Sequence, residues 1–278
     1  MARRRWHLAA ALDHAAVAAE AFSATSNSYG SLSCAILSGY TNRLAGNLSG
    51  SLAQLEPVVR SGSPYRPLVA EARFQVGEVY RRLGQLPEAE KLLVASLPDR
   101  AHIGGGSPEA FSLAALGATA YQAGDYEGAA ELLQRAMVRM PTAHNEGRAL
   151  VARRLGVTLR ELNRCGEARQ LLRIALETYR KPVGNLMGEA EALLSLAVFD
   201  EEDGSALIDE AVSRIEDIIR LAHKTPMTVF VSEWAMSRLA SLDPTAATGL
   251  RVRIESDDSL TVPSQGQATE MSVEPMAL

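Results

Sequence analysis

Three segments of this 278-residue chain superimpose on one another by residue type, and no other feature constrains its fold as tightly. The middle segment, residues 113–141, reads Leu113, Leu116, Gly117, Gly124, Tyr126, Ala129, Leu133, Ala136, Met137 and Pro141. Residues 152–176 repeat the series as Ala152, Leu155, Gly156, Asn163, Cys165, Ala168, Leu172, Ala175 and Leu176. Residues 74–97 supply Val76, Gly77, Tyr80, Gly84, Leu86, Ala89, Leu93 and Leu97. The period is roughly 40 residues, in the range where each unit is a helical hairpin that covers its apolar face only by stacking on neighbours.

Within a unit the physics is legible. Leu113, Leu116, Ala120 and Tyr121 fall at helical spacing and make one face of a first helix apolar. Gly117 lies on that face, where a missing side chain admits a second helix at close range. The helix then ends at Gly124, since a left-handed residue after the last turn is least strained for Gly, with Asn next. The same turn is expected at Gly46, Gly84, Asn163 and Gly204. Keeping the register outward adds a unit upstream, with Ser51 at the small crossing position, and one downstream through Ile208, Ala211, Ile215 and Ile218.

The expected organisation is therefore an N-terminal helix or half repeat over residues 1–30 and an array of about five repeats over 31–222. A capping helix over 223–245, closed by Trp234 and Leu239, and a disordered tail over 246–278 complete it. The tail is polar and broken by Pro263, although Leu250, Val252 and Ile254 alternate as a short strand would. Connectors fall at Ser61–Pro64, Gly104–Pro108 and Lys181–Asn185.

Composition agrees. The chain is 47% hydrophobic but only 5% aromatic, so its core is built from Ala, Leu, Val and Ile, which suit closely packed helices. A net charge of −5 argues against a nucleic-acid footprint over the whole chain. Arg3–Arg5 precede an Ala-rich stretch, yet His7, Asp13 and His14 interrupt the apolar run a signal peptide needs. No window reaches the ~18 apolar residues of a membrane span, which points to a soluble, cytoplasmic protein. Cys34 and Cys165 lie in different units, and Cys165, in the place of Tyr126, is expected to be a buried reduced thiol.

The Leu-Gly pair in the first helix, the Gly turn followed by an apolar residue, and the Ala and Ala-Leu positions of the second helix resemble the tetratricopeptide repeat family. The spacing is similar to its longer variant, found in kinesin light chains and bacterial regulators. This resemblance implies an all-α, right-handed superhelical array of antiparallel helix pairs whose first helices line a concave groove that binds a peptide. Carried over unit by unit, it implies a partner-binding groove formed by Tyr40, Arg43, Phe74, Glu78, Arg81, Arg82, Tyr121, Gln122, Arg153 and Arg160. Ile36, Glu161, Leu194, Glu201 and Glu202 fall at equivalent places. The chaperone-binding carboxylate clamp of the family needs Lys and Asn residues that these positions lack.

Arginines interleaved with aromatics would present rigid donor forks beside low-entropy contact area, suited to an acidic partner peptide with apolar anchors. Against this, the same arginines could be spent on local acids such as Glu78 and Glu161. Catalysis is not expected. The Asp200–Asp203 run ends a helix, the five histidines are scattered, and no HExxH, Gly-x-Ser-x-Gly or zinc-spaced Cys pair occurs. No cofactor or metal is implied, and the triple glycine at 104–106 lacks the Gly-Lys-Ser/Thr of a phosphate loop. The expected role is a protein-interaction adaptor or scaffold. The alternative is a regulator of bacterial transcription or signalling that acts through a partner or a sensed peptide, since no helix-turn-helix fits before the first repeat.

Overall fold

The computed structural model describes residues 8–199, 204–221 and 226–256. Among these the chain forms thirteen α-helices and no strand. They are α1 (Leu8–Ala24), α2 (Ser28–Leu44), α3 (Leu48–Arg60), α4 (Arg66–Arg82), α5 (Leu86–Ala101), α6 (Ser107–Gln122) and α7 (Tyr126–Arg139). There follow α8 (Asn145–Glu161), α9 (Cys165–Thr178), α10 (Leu186–Ala197), α11 (Gly204–Leu221), α12 (Pro226–Leu242) and α13 (Pro244–Ser256). The helices pair as α2/α3, α4/α5, α6/α7, α8/α9 and α10/α11, five stacked hairpins preceded by α1 and followed by α12 and α13.

Each of the first four hairpins is closed by one steric device. Gly39, Gly77, Gly117 and Gly156 face the fully buried Leu55, Leu93, Leu133 and Leu172 of the second helix. A Cβ on these glycines would lie 2.3, 2.8, 2.8 and 2.9 Å from the leucine Cγ, closer than packed carbons approach. The missing side chain thus lets each leucine settle on the backbone of the first helix, and burying it contributes about 1.5–3 kcal/mol. At the same crossing Ser51 Oγ donates to the Gly39 carbonyl at 2.8 Å, while Ala89, Ala129 and Ala168 occupy the equivalent place with no exposed surface.

The turns follow the expectation with one exception. Gly46, Gly84, Gly124 and Asn163 take φ of 81°, 72°, 84° and 58°. Gly204 does not share the turn: it opens α11 as a helical residue, and a Cβ there would lie 3.0 Å from the Ala197 carbonyl. Its smallness serves a close approach and not a left-handed backbone.

Helix starts carry a second recurring device. Asn27, Asn47, Asp125, His144 and Asn185 each accept, through the side chain, the backbone N–H of a glycine three residues on: Gly30, Gly50, Gly128, Gly147 and Gly188. Such a cap satisfies one of the orphan donors of the first turn. At Gly30, Gly147 and Gly188 the absent Cβ also makes room for Phe22, Met140 and Tyr179.

First helices touch the first helices of the next unit (α2 with α4, α4 with α6, α6 with α8, α8 with α10), whereas α3, α5, α7, α9 and α11 lie farther apart. The first helices therefore form the shorter, inner layer. Three expectations need correction. The chain is helical over Pro244–Ser256, where a tail and a strand were expected; Leu250 and Ile254 are buried four residues apart while Val252 is exposed, which is helical spacing. Cys165 is exposed at the first position of α9. Ile36 and Leu194 belong to the core and not to the groove. The acidic run at 200–203, with Glu201 and Glu202, lies outside the described residues, as does most of the expected tail.

Two glycine classes predict different behaviour. Gly117→Val, which drives a branched Cβ into Leu133, should cost about 1–3 kcal/mol, and Gly124→Val about 1–2 kcal/mol for its positive φ alone. Gly104→Ala, with open space and an ordinary φ, should stay within about 0.5 kcal/mol. Urea unfolding of the three variants measures the differences.

Candidate functional site

The inner layer folds around a cavity of about 430 Å³ lined by α2, α4, α6, α8 and α10. Why charge gathers there is visible in the sequence of α6. Past Glu109 this helix carries no charged side chain and turns Ala115 to the cavity, so the long side chains of α4 and α8 close over it from either side. Arg154 of α8 donates through Nη1 to the Ala114 carbonyl of α6 at 3.0 Å, and Arg82 of α4 likewise to the Arg43 carbonyl of α2 at 3.1 Å. These bonds join residues 40 and 39 apart, one repeat in each case. Tyr121 to Glu161 and Asn185 to Glu146 span the same interval, making a ladder along the inner layer.

Of the ten expected groove residues, Tyr40, Arg43, Phe74, Glu78, Arg81, Arg82 and Arg153 line this cavity. Tyr121, Gln122 and Arg160 do not. Gln122 meets Arg81 across 3.4 Å, while Tyr121 and Arg160 converge on Glu161 at 3.3 and 2.5 Å. Tyr40 is the open member, 38% exposed, with the Arg43 guanidinium 5.4 Å from its ring centroid.

Glu78 is the hub. It is buried, accepts from Arg81 Nε at 3.1 Å and lies 3.8 Å from Arg43 Nη1. Burial pushes its carboxyl up, but the guanidiniums of Arg81, Arg154 and Arg43 together outweigh burial and hold it well below the carboxylate range. Arg153 pairs with Glu191 at 2.9 Å, and these neighbours raise its pKa against the effect of burial. Arg100 pairs with Glu71 and stacks 4.0 Å over the Phe74 ring. The local pairing that the sequence left open is thus realised at Arg43, Arg81, Arg153 and Arg160.

The charges do not cancel. Six arginines (43, 81, 82, 100, 153, 154) face four glutamates (71, 78, 146, 191) across the cavity. Burial, with the other guanidiniums beside them, lowers the pKa of Arg82 to about 9 and of Arg154 to about 10. A guanidinium keeps its proton at neutral pH, so holding both charged costs folding stability there. The cost is relieved only as pH rises through those values toward the ordinary 12.5. Sequence reading missed Glu71, Arg100, Arg154, Tyr179 and Glu191. A helix face chosen to within one residue selects Arg153 over its neighbour, and nothing local marks that Arg154 reaches an α6 carbonyl.

Among the described residues, no group of three or more His, Cys, Asp and Glu side chains could hold a metal ion, and no helix is long and apolar enough to cross a membrane. What the geometry defines is an array of helical hairpins with a positively charged inner cavity. Residues 68–140 match a model of the tetratricopeptide repeat and residues 148–184 a second such model, so the chain carries tetratricopeptide repeats over α4–α9. The 39- to 41-residue rungs of the inner ladder agree with the longer-spacing, kinesin-light-chain-like variety.

Solved structures share the fold. The apo form of RapI aligns over 91% of this chain and 92% of its own, with a TM-score of 0.68 at 14% identity. BtubC (BKLC) from P. vanneervenii aligns over 84% and 98%, with a TM-score of 0.52 at 13% identity. No curated protein matches the sequence.

Removing the hub charge provides a test. Glu78→Gln leaves Arg43 and Arg81 buried without their anion and should cost about 3–5 kcal/mol at pH 7. Glu78 has a depressed folded pKa, so its stabilisation is complete above the ordinary 4.5 and is lost as pH falls below it. The deficit of the variant in urea unfolding should therefore shrink as pH is lowered from 4.5.

Proposed function

We propose that the inner cavity binds a short peptide segment of a partner protein, acidic and carrying apolar anchors, and that the protein acts as an adaptor or scaffold. The observation that carries this reading is the excess of buried arginine over glutamate in a cavity that also exposes Tyr40 and is flanked by Phe74, Phe111 and Tyr179. An anionic group is favoured there electrostatically, and aromatic walls supply contact area. Protein interaction is also the role for which tetratricopeptide repeats serve as a scaffold.

The size of the cavity favours one refinement. At about 430 Å³ it suits a few residues of a chain and not a broad protein face. A regulator that senses a short peptide fits that size as well as an adaptor does, and the fold shared with RapI covers 91% of the chain.

Panning a library of short random peptides on the full chain tests the reading. Binders should be enriched in Asp and Glu next to apolar residues. They should crosslink to a photoreactive phenylalanine derivative placed at Tyr40 and not to one at Val138, which is 84% exposed on α7. Binders that crosslink at Val138 alone would place recognition on the outer layer and overturn the proposal.

A further inference from the structure

We infer that Arg82 and Arg154 form an oxyanion subsite in the inner cavity, one that takes a single carboxylate of the bound ligand. The inference rests on the reading of this cavity as the ligand site and names the group recognised there.

The argument starts from how the six arginines are paired. Arg43 and Arg81 share Glu78, Arg100 has Glu71, and Arg153 has Glu191. Arg82 and Arg154 remain. Among the described residues neither has a carboxylate within 4.0 Å. Among the described residues each makes one hydrogen bond, to a neutral backbone carbonyl, and the Nε of each is sealed from solvent with no acceptor. Arg154 is only 7% exposed. They sit on inner helices two units apart, and both lie in the field of the Glu78 hub and of each other.

An exposed arginine in this condition would be unremarkable, because water would satisfy it. For Arg154, which is buried, a guanidinium without an anion costs on the order of several kcal/mol after relaxation; Arg82 is half-buried, and the burden there falls on its sealed Nε. Among the described residues the contacts of these two are uncharged carbonyls. Glu78 is already engaged by Arg43 and Arg81. The missing element is an external anion, and the planar fork of a guanidinium matches a carboxylate in two parallel N–H···O contacts. Phe111 and Ala115 of α6 border the same space, so the residue next to that carboxylate meets an apolar wall.

The pairing also predicts how neutral variants behave. Arg154→Met and Arg82→Met remove a charge that has no carboxylate within 4.0 Å among the described residues, so in buffer free of carboxylates and phosphate they should melt no lower than wild type. A merely structural arginine would do the reverse. Thermal unfolding of the full chain at constant ionic strength would use two small probes. N-acetyl-Glu-Glu amide offers side-chain carboxylates only, and N-acetyl-Ala-Ala free acid a terminal one only. At least one should raise the wild-type melting temperature, and which one does identifies the source of the carboxylate. The rise should vanish in Arg82→Met and Arg154→Met and persist in Arg160→Met, whose partner is Glu161.

No rise with either probe, or a rise that survives both substitutions, overturns the subsite. So does a response to inorganic phosphate alone, and so does loss of the fold in both variants. The panned peptides separate the two readings. Peptides that bind wild type and Arg154→Met equally, when a drop on the order of tenfold is expected for a lost charged contact, sink the subsite and leave the peptide groove standing. Acetylated probes that bind while no peptide does sink the peptide groove and leave the subsite.

Discussion

The array depends on one steric coincidence repeated four times: a glycine on an inner helix facing a leucine sixteen residues on. With the leucine seated on bare backbone, the two helices of a hairpin approach as closely as their main chains permit, and the direction of the second helix is fixed. That in turn sets which face of each inner helix looks away from the hairpin. Neighbouring units can then stack only with first helices against first helices. The cavity is the space left on the far side of that layer, and its position follows from the crossing, not from any residue that lines it.

Because the inner layer is short of room, charge on it is crowded. The uncharged stretch of α6 is what makes the crowding possible, since side chains from α4 and α8 can cross it to reach backbone and one another. The outcome is a buried network in which one carboxylate, Glu78, holds several guanidiniums and others are left unbalanced. A structure selected for stability alone would gain by replacing such groups with apolar ones of similar volume. Their presence fits a site that is completed from outside.

Much of this was legible in the sequence, and the physical reason is that steric rules act locally. A left-handed turn tolerates Gly or Asn, so Gly84, Gly124 and Asn163 could be found by register. A close crossing demands absence of a Cβ, so Gly77, Gly117 and Gly156 could be found by period. Gly204 shows the limit, because two different demands select the same residue. The Asn/Asp/His–Gly caps were equally present in the sequence at a fixed offset of three and went unread, since a glycine inside a first turn looks like a helix breaker. The electrostatics were less accessible. Whether an arginine ends on a carboxylate or a carbonyl depends on side chains one repeat away and on a difference of one residue around a helix, as between Arg153 and Arg154. At the C-terminal end, Leu250 and Ile254 fit either an alternating or a four-residue period, and packing against α11 and α12 decided between them.

The rungs of the inner ladder formed by Arg82 and Arg154 have an asymmetry with evolutionary weight. Their donors are side chains, but their acceptors are main-chain carbonyls, which every amino acid provides. Mutation on the receiving helix therefore cannot delete the acceptor, and only the arginine end is exposed to loss. Such a one-sided contact leaves the side chains of the receiving helix free to change without loss of the acceptor.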